Sequence, residues 1–137
     1  MSTAVWSYLT VAIGGAAGAI ARYALSGISV WAGSGIPAGT LASNVLGCFV
    51  MGAVAQLAAG TSWFNDAGLF PDHYRLLFAV GFCGSFTTLS ALVYEMSTML
   101  ERGQVAVAFG YFMLTMVGAF AGFYLAVTGV RLLTQGQ

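Results

Sequence analysis

The stretch Gly81-Phe82-Cys83-Gly84-Ser85-Phe86-Thr87-Thr88-Leu89-Ser90 decides how this chain is read. It sits inside an uncharged run, residues 76 to 94, close to the roughly 20 apolar residues that a helix needs to cross the hydrocarbon of a bilayer. Yet it carries two glycines and four hydroxyls. Gly and β-branched Thr weaken helix propensity, and hydroxyls offer the backbone other partners. The stretch therefore predicts a helix that breaks in mid-membrane. Irregular backbone at that depth survives only where it is buried in protein or lines a cavity, and carbonyls freed there can bind a cation. Glu95 follows at the far end of the run. It reads either as an ionisable group with a function in the membrane or as a residue at the interface that pairs with nothing.

The runs on either side are equally poor in charge. Residues 1 to 21, 23 to 65 and 103 to 130 carry none, the second being divided by Gly33-Ser34-Gly35-Ile36-Pro37. Spans are predicted at about residues 5–25, 38–59, 74–100 and 104–133, so that a single four-helix transmembrane domain fills residues 1–137. The fold class is an all-α integral membrane protein with a broken third helix. Composition agrees: 59% of residues are hydrophobic and 6% charged, against about 25% charged in a soluble domain. That excludes a water-soluble enzyme. Four Arg balance four Asp and Glu, leaving no net charge to draw nucleic acid. Cys48 and Cys83 lie in apolar runs and read as free, buried thiols. Ala19-Ile20-Ala21 resembles a leader cleavage site, but Met1 to Leu9 has no cation, so the first run is read as a retained span. His73 stands beside Asp72 with no nucleophile or metal-ligand spacing, and Gly33-Ser34-Gly35 is a turn rather than a phosphate cradle. No catalytic set emerges.

With four spans, Arg75 and Arg131 fall on one side of the membrane and Arg22 and Arg102 on the other. The positive-inside rule then gives no orientation. Either four charges are too few for the rule to act, or copies insert both ways and pair as an antiparallel dual-topology homodimer. The second is the better hypothesis, because four thin helices enclose little room for a polar pathway.

Each span carries polar residues that a bilayer disfavours. In span 1, Gly14, Gly18 and Arg22 share a face at four-residue spacing, so a neighbouring backbone can approach closely before a cation appears. Arg22 reads either as a snorkelling end residue or as an anion-attracting group in a vestibule. Span 2 begins after Pro37 and places Thr40 and Asn44 on one face with Gly47 just beyond. Asn44 has two N–H donors, the kind of group a dehydrated anion needs, or it bonds across helices. Span 4 stacks Tyr111, Thr115, Gly118 and Gly122; packing explains the Gly-xxx-Gly contact, and Tyr111 and Thr115 read either as part of that packing face or as a hydrogen-bonding track.

Through Gly14-Gly15-Ala16-Ala17-Gly18-Ala19-Ile20-Ala21-Arg22-Tyr23, through Gly39-Thr40-Leu41 to Asn44 and Gly47, and through Gly81 to Ser90 with Glu95 behind it, the chain resembles the dual-topology fluoride channels of bacteria, the Fluc or CrcB family. The resemblance covers all four spans in order. It implies an antiparallel homodimer in the inner (plasma) membrane, with two pores that pass F⁻ passively, exclude Cl⁻, export F⁻ from the cytoplasm and so give fluoride resistance. It implies a structural Na⁺ on the twofold axis, held by the main-chain carbonyls of Gly84 and Thr87 where two broken third helices cross. Arg22 would sit at a vestibule, Asn44 would donate to F⁻, and a polar track would run through Thr40, Ser90, Tyr111, Thr115 and Glu95.

Two family features differ in this chain. The third-span Phe pair, whose positive ring edges face the ion, is Leu89 and Leu92, and the hydroxyl ending the fourth-span track is replaced by Ala119. Three hypotheses follow: altered conduction, a Phe-bearing partner subunit, or Phe82 or Phe86 acting in place of the missing rings. The rival function is a small dual-topology proton-coupled exporter. That would want a carboxylate deep in the membrane, for which Glu95 is the candidate, since spans 1, 2 and 4 have no acid.

Overall fold

Glycine sets how closely the helices of this chain approach one another. The structure, a computed structural model, describes residues 3–31, 35–60 and 71–135. Most of the Gly33-Ser34-Gly35 turn and most of the second connection lie outside the described residues. Among the described residues, four helices are long and apolar enough to cross a membrane: Ala4–Gly27, Ala38–Ala58, Arg75–Glu101 and Val105–Thr134. They match the expected spans to within about two residues at most ends, because both follow from where charges interrupt apolar runs. No strand occurs among the described residues. The chain is an all-α, multi-pass membrane protein.

In full, α1 is Thr3–Trp31 and α2 is Ala38–Gly60. The third span is composite. A short α3 (Pro71–Tyr74) passes into a π-helical segment, Arg75–Cys83, then α4 (Gly84–Phe86), and α5 (Leu89–Glu101) completes it. Between α4 and α5 the backbone is extended, at Thr87 (φ −83°, ψ 153°) and Thr88 (φ −153°, ψ 116°). The final helix, α6, is Val105–Gln135. The α5–α6 turn closes on Gly103, whose φ of +73° is left-handed and suits glycine.

Lipid tails are as apolar as leucine, so membrane helices associate through close packing rather than through exclusion of water. Here Gly14 and Gly18 of α1 lie against the backbone of the π-helical segment at Leu77 and Phe82. A Cβ on the facing Gly81 would stand 2.8 Å from the Val11 carbonyl oxygen. On the other side of the bundle Gly52 of α2 meets the Phe123 carbonyl, while a Cβ on Gly118 would be 2.9 Å from Val45 Cγ2. The apolar core is small: Leu92, Met99, Ala108 and Tyr111, with Leu41 and Met96 packed against them. Thr40, Ser43, Asn44 and Thr115 are buried beside it, whereas Ile13, Ile20, Leu125 and Leu133 are exposed. That inverts the pattern of a soluble protein. Cys48 and Cys83 are free thiols, the second buried.

Candidate functional site

The first turn of α2 is brought against the end of α1 by Gly39, where a Cβ would come within 2.5 Å of the Leu25 carbonyl oxygen. That approach places Thr40 beside Arg22. A cavity of about 240 Å³ opens there, lined by Ala19, Arg22, Tyr23, Ser26, Gly39, Thr40, Thr88, Ala91 and Glu95. Three of the residues singled out from sequence, Arg22, Thr40 and Glu95, thus meet at one cavity.

Arg22 turns inward rather than snorkelling. Its Nε donates to the Ser85 carbonyl at 3.0 Å, so its charge is held between the break in the third span and the cavity. Glu95 has partners on both oxygens. The Thr40 hydroxyl donates to Oε1 at 2.7 Å and the Tyr111 hydroxyl donates to Oε2 at 2.7 Å. Each hydroxyl has one proton, so in this arrangement neither Thr40 nor Tyr111 has a proton left for an anion. Thr115 lies one turn further along α6, where its hydroxyl donates to the Tyr111 carbonyl at 2.8 Å. Its proton is likewise committed.

Asn44 is different. Its Oδ1 accepts the Thr88 N–H at 2.7 Å and its Nδ2 donates to the Thr88 carbonyl at 3.2 Å. The amide thus grips the extended residue at the break and keeps a second Nδ2 hydrogen. Thr88 counts among the hydroxyls of the deciding stretch, but the sequence assigns it no place in the site. It caps α5, its Oγ1 accepting the Ala91 N–H at 3.1 Å and lying 3.2 Å from Ser90 Oγ. The available signal was a Thr directly ahead of an apolar helical run, which is a capping pattern. No buried side-chain nitrogen or oxygen among the described residues lacks a partner.

At the extended residues Thr87 and Thr88, two carbonyls lose the donors that a continuous helix would give them. Thr88 N–H, which in a continuous α-helix would reach the Gly84 carbonyl, goes to Asn44. Ala91 N–H, which would reach the Thr87 carbonyl, goes to Thr88 Oγ1. Oxygens released in this way from unwound membrane helices suit Na⁺. The residues Gly84 and Thr87 therefore fit the cation that the family resemblance implies.

Leu89 and Leu92 have opposite surroundings. Leu89 is 69% exposed and Leu92 is 1% exposed, packed with Tyr111 in the core. Phe82 and Phe86 stack on each other, centroids 5.2 Å apart, and neither ring lines the cavity. Restoring phenylalanine should therefore give unequal results. Leu89→Phe is expected to change thermal stability in detergent by less than about 0.5 kcal/mol. Leu92→Phe overfills a packed site and should cost about 1–3 kcal/mol.

Comparison with known proteins is consistent along the chain. The family described as "CrcB-like protein, Camphor Resistance (CrcB)" matches residues 9–130. A protein of Prosthecochloris aestuarii named fluoride-specific ion channel FluC is 40% identical over 123 residues, covering 90% of this chain and 91% of that protein. One of the same name from Phenylobacterium zucineum is 44% identical over 123 residues, covering 86% and 93%. Another, from Leptospira interrogans, is 39% identical over 127 residues, covering 87% and 93%.

Proposed function

From the premise that this chain belongs to the CrcB-like family, we propose that it is a fluoride-selective channel of the plasma membrane rather than an enzyme. It passes F⁻ out of the cytoplasm down its electrochemical gradient and so gives fluoride resistance. The working unit is an antiparallel dual-topology homodimer with two pores, and the exposed apolar faces meet the partner copy and lipid. The observation that carries the reading is the convergence of Arg22, Thr40 and Glu95 on one cavity, with Asn44 clamped to Thr88 at its edge.

Fluoride is small and strongly hydrated, so each water removed must be replaced by a donor of comparable strength. Arg22 raises the local anion concentration at the vestibule. Asn44 then offers its remaining N–H. Thr40 and Tyr111 join the pathway as their hydroxyls turn from Glu95 to the ion, a rotation about single bonds that moves no heavy atom far. Ser90 and Thr115 extend the polar surface, and Leu89 and Leu92 contribute apolar wall where the family has rings. Na⁺, held by the Gly84 and Thr87 carbonyls, would supply a fixed positive charge at the dimer axis where the broken third spans meet.

The test is F⁻ efflux from liposomes holding only the purified chain, with Cl⁻ as comparison ion and no proton gradient. Fast F⁻ efflux without Cl⁻ efflux is expected. Efflux that appears only when a proton gradient is imposed would overturn the channel reading in favour of a proton-coupled exporter working through Glu95. Folded dimer with no flux under either condition would overturn the self-sufficient homodimer and call for a Phe-bearing partner subunit.

A further inference from the structure

Around the break in the third span, backbone groups are sorted with some selectivity. The Cys83 carbonyl keeps its helical donor, the Thr87 N–H at 3.0 Å, and also takes the Thr87 hydroxyl at 2.8 Å. The Ser85 carbonyl is met from α1 by Arg22, and the Thr88 carbonyl is met from α2 by Asn44. The donors that a continuous helix would direct to Gly84 and Thr87 are instead captured by Asn44 Oδ1 and Thr88 Oγ1. Gly84 is exposed on the surface of the single chain and Thr87 is half-buried.

We infer that Asn44 and Thr88 are positioning residues for the backbone cation site: by drawing off two N–H groups they release the Gly84 and Thr87 carbonyls to Na⁺. The inference rests on the cation reading given above. It adds a second task for Asn44 and a further one for Thr88, which also caps α5 and lines the cavity. The physical reason is that a carbonyl already accepting a helical N–H is a poorer ligand, whereas a carbonyl left unmet in a membrane is costly until a cation or other donor reaches it. Asn44 thereby ties the anion pathway and the cation site to one side chain. Its Nδ2 serves the Thr88 carbonyl and the pathway, while its Oδ1 holds the break open.

The test uses binding rather than flux. Full-length protein in detergent is unfolded thermally at constant ionic strength, with Na⁺ replaced stepwise by N-methylglucamine, so that linkage reports the half-saturating Na⁺ concentration. Wild type should be stabilised by Na⁺. Thr88→Val, which deletes the capping hydroxyl but keeps the branched Cβ, should raise the half-saturating concentration about fivefold, the size of an ordinary lost N-cap. Thr88→Ser should restore it. Asn44→Leu, which loses both bonds to Thr88, should raise it roughly tenfold or more. If wild type responds to Na⁺ and the variants respond at the same concentration, the cation reading stands and the positioning role falls. If wild type does not respond, the cation reading falls and takes this inference with it. Should Asn44→Leu fail to assemble, the Thr88→Val and Thr88→Ser pair decides alone, because it removes and returns one hydroxyl on a half-buried residue.

Discussion

Asn44→Leu is expected to lower F⁻ efflux from liposomes by about 100-fold or more per reconstituted chain, equal to about 2.7 kcal/mol. The size follows from which protons are available. Thr40 and Tyr111 give theirs to Glu95, and Thr115 gives its own to the Tyr111 carbonyl. Asn44 alone of these four polar side chains keeps an N–H beyond the one it gives to Thr88. Leucine fills a similar volume and offers no donor. An unreplaced hydrogen bond to a desolvated polar group costs roughly 2–7 kcal/mol in transfer, so the expected loss lies at the low end of that range. The measurement is initial F⁻ efflux normalised to the amount of folded protein reconstituted. Efflux within twofold of wild type would remove Asn44 from the pathway and leave Arg22 and the Glu95 hydroxyls to carry it.

The second large effect concerns assembly. Gly18→Val is expected to abolish recovery of folded protein, because a Cβ at Gly18 collides with the Phe82 carbonyl of the π-helical segment. A flexible side chain could yield, but here backbone faces backbone. Overpacking ordinarily costs about 1–3 kcal/mol, and separating these helices would also pull Arg22 away from the Ser85 carbonyl. Gly129→Ala is the matched comparison, since nothing lies within 4 Å of a Cβ there. It should leave yield and thermal midpoint near wild type. Equal recovery of the two variants, measured by size exclusion after solubilisation, would show that α1 and the third span are packed less closely than described.

These two expectations draw on different levels of information. The Gly14, Gly18 and Arg22 face was legible because four-residue spacing on a helix is local geometry, and the structure sets all three against the third span, at Leu77, Phe82 and Ser85. The polar identity of Thr40, Asn44, Glu95 and Tyr111 was equally legible, since a membrane makes each such residue conspicuous. Their pairing was not. Thr40 and Glu95 are 55 residues apart, and no periodicity within a span reports which hydroxyl faces which carboxylate across the bundle.

The role of Thr88 in the site was illegible for a similar reason: its capping of α5 is local, but its grip by Asn44 depends on α2 lying alongside Thr87 and Thr88. The π-helical winding of Arg75–Cys83 had no herald in the form of a proline. It is found where Gly81 lies against α1. Leu89 and Leu92 looked equivalent as substitutions, three positions apart in one helix, yet one faces outward and the other is sealed against Tyr111.

What the sequence determined by itself is the membrane, the count and limits of the four spans, and the short roster of residues able to treat with an ion. Those follow from run length against bilayer thickness and from the cost of polar groups in hydrocarbon, quantities that need no neighbour. Only the tertiary structure decided the direction of each hydrogen bond: the two hydroxyls on Glu95, the inward turn of Arg22 and the clamp of Asn44 on Thr88. A donor chooses its acceptor from what adjoining helices present at the same depth, and that register is set by glycine-to-backbone packing between spans far apart in the chain.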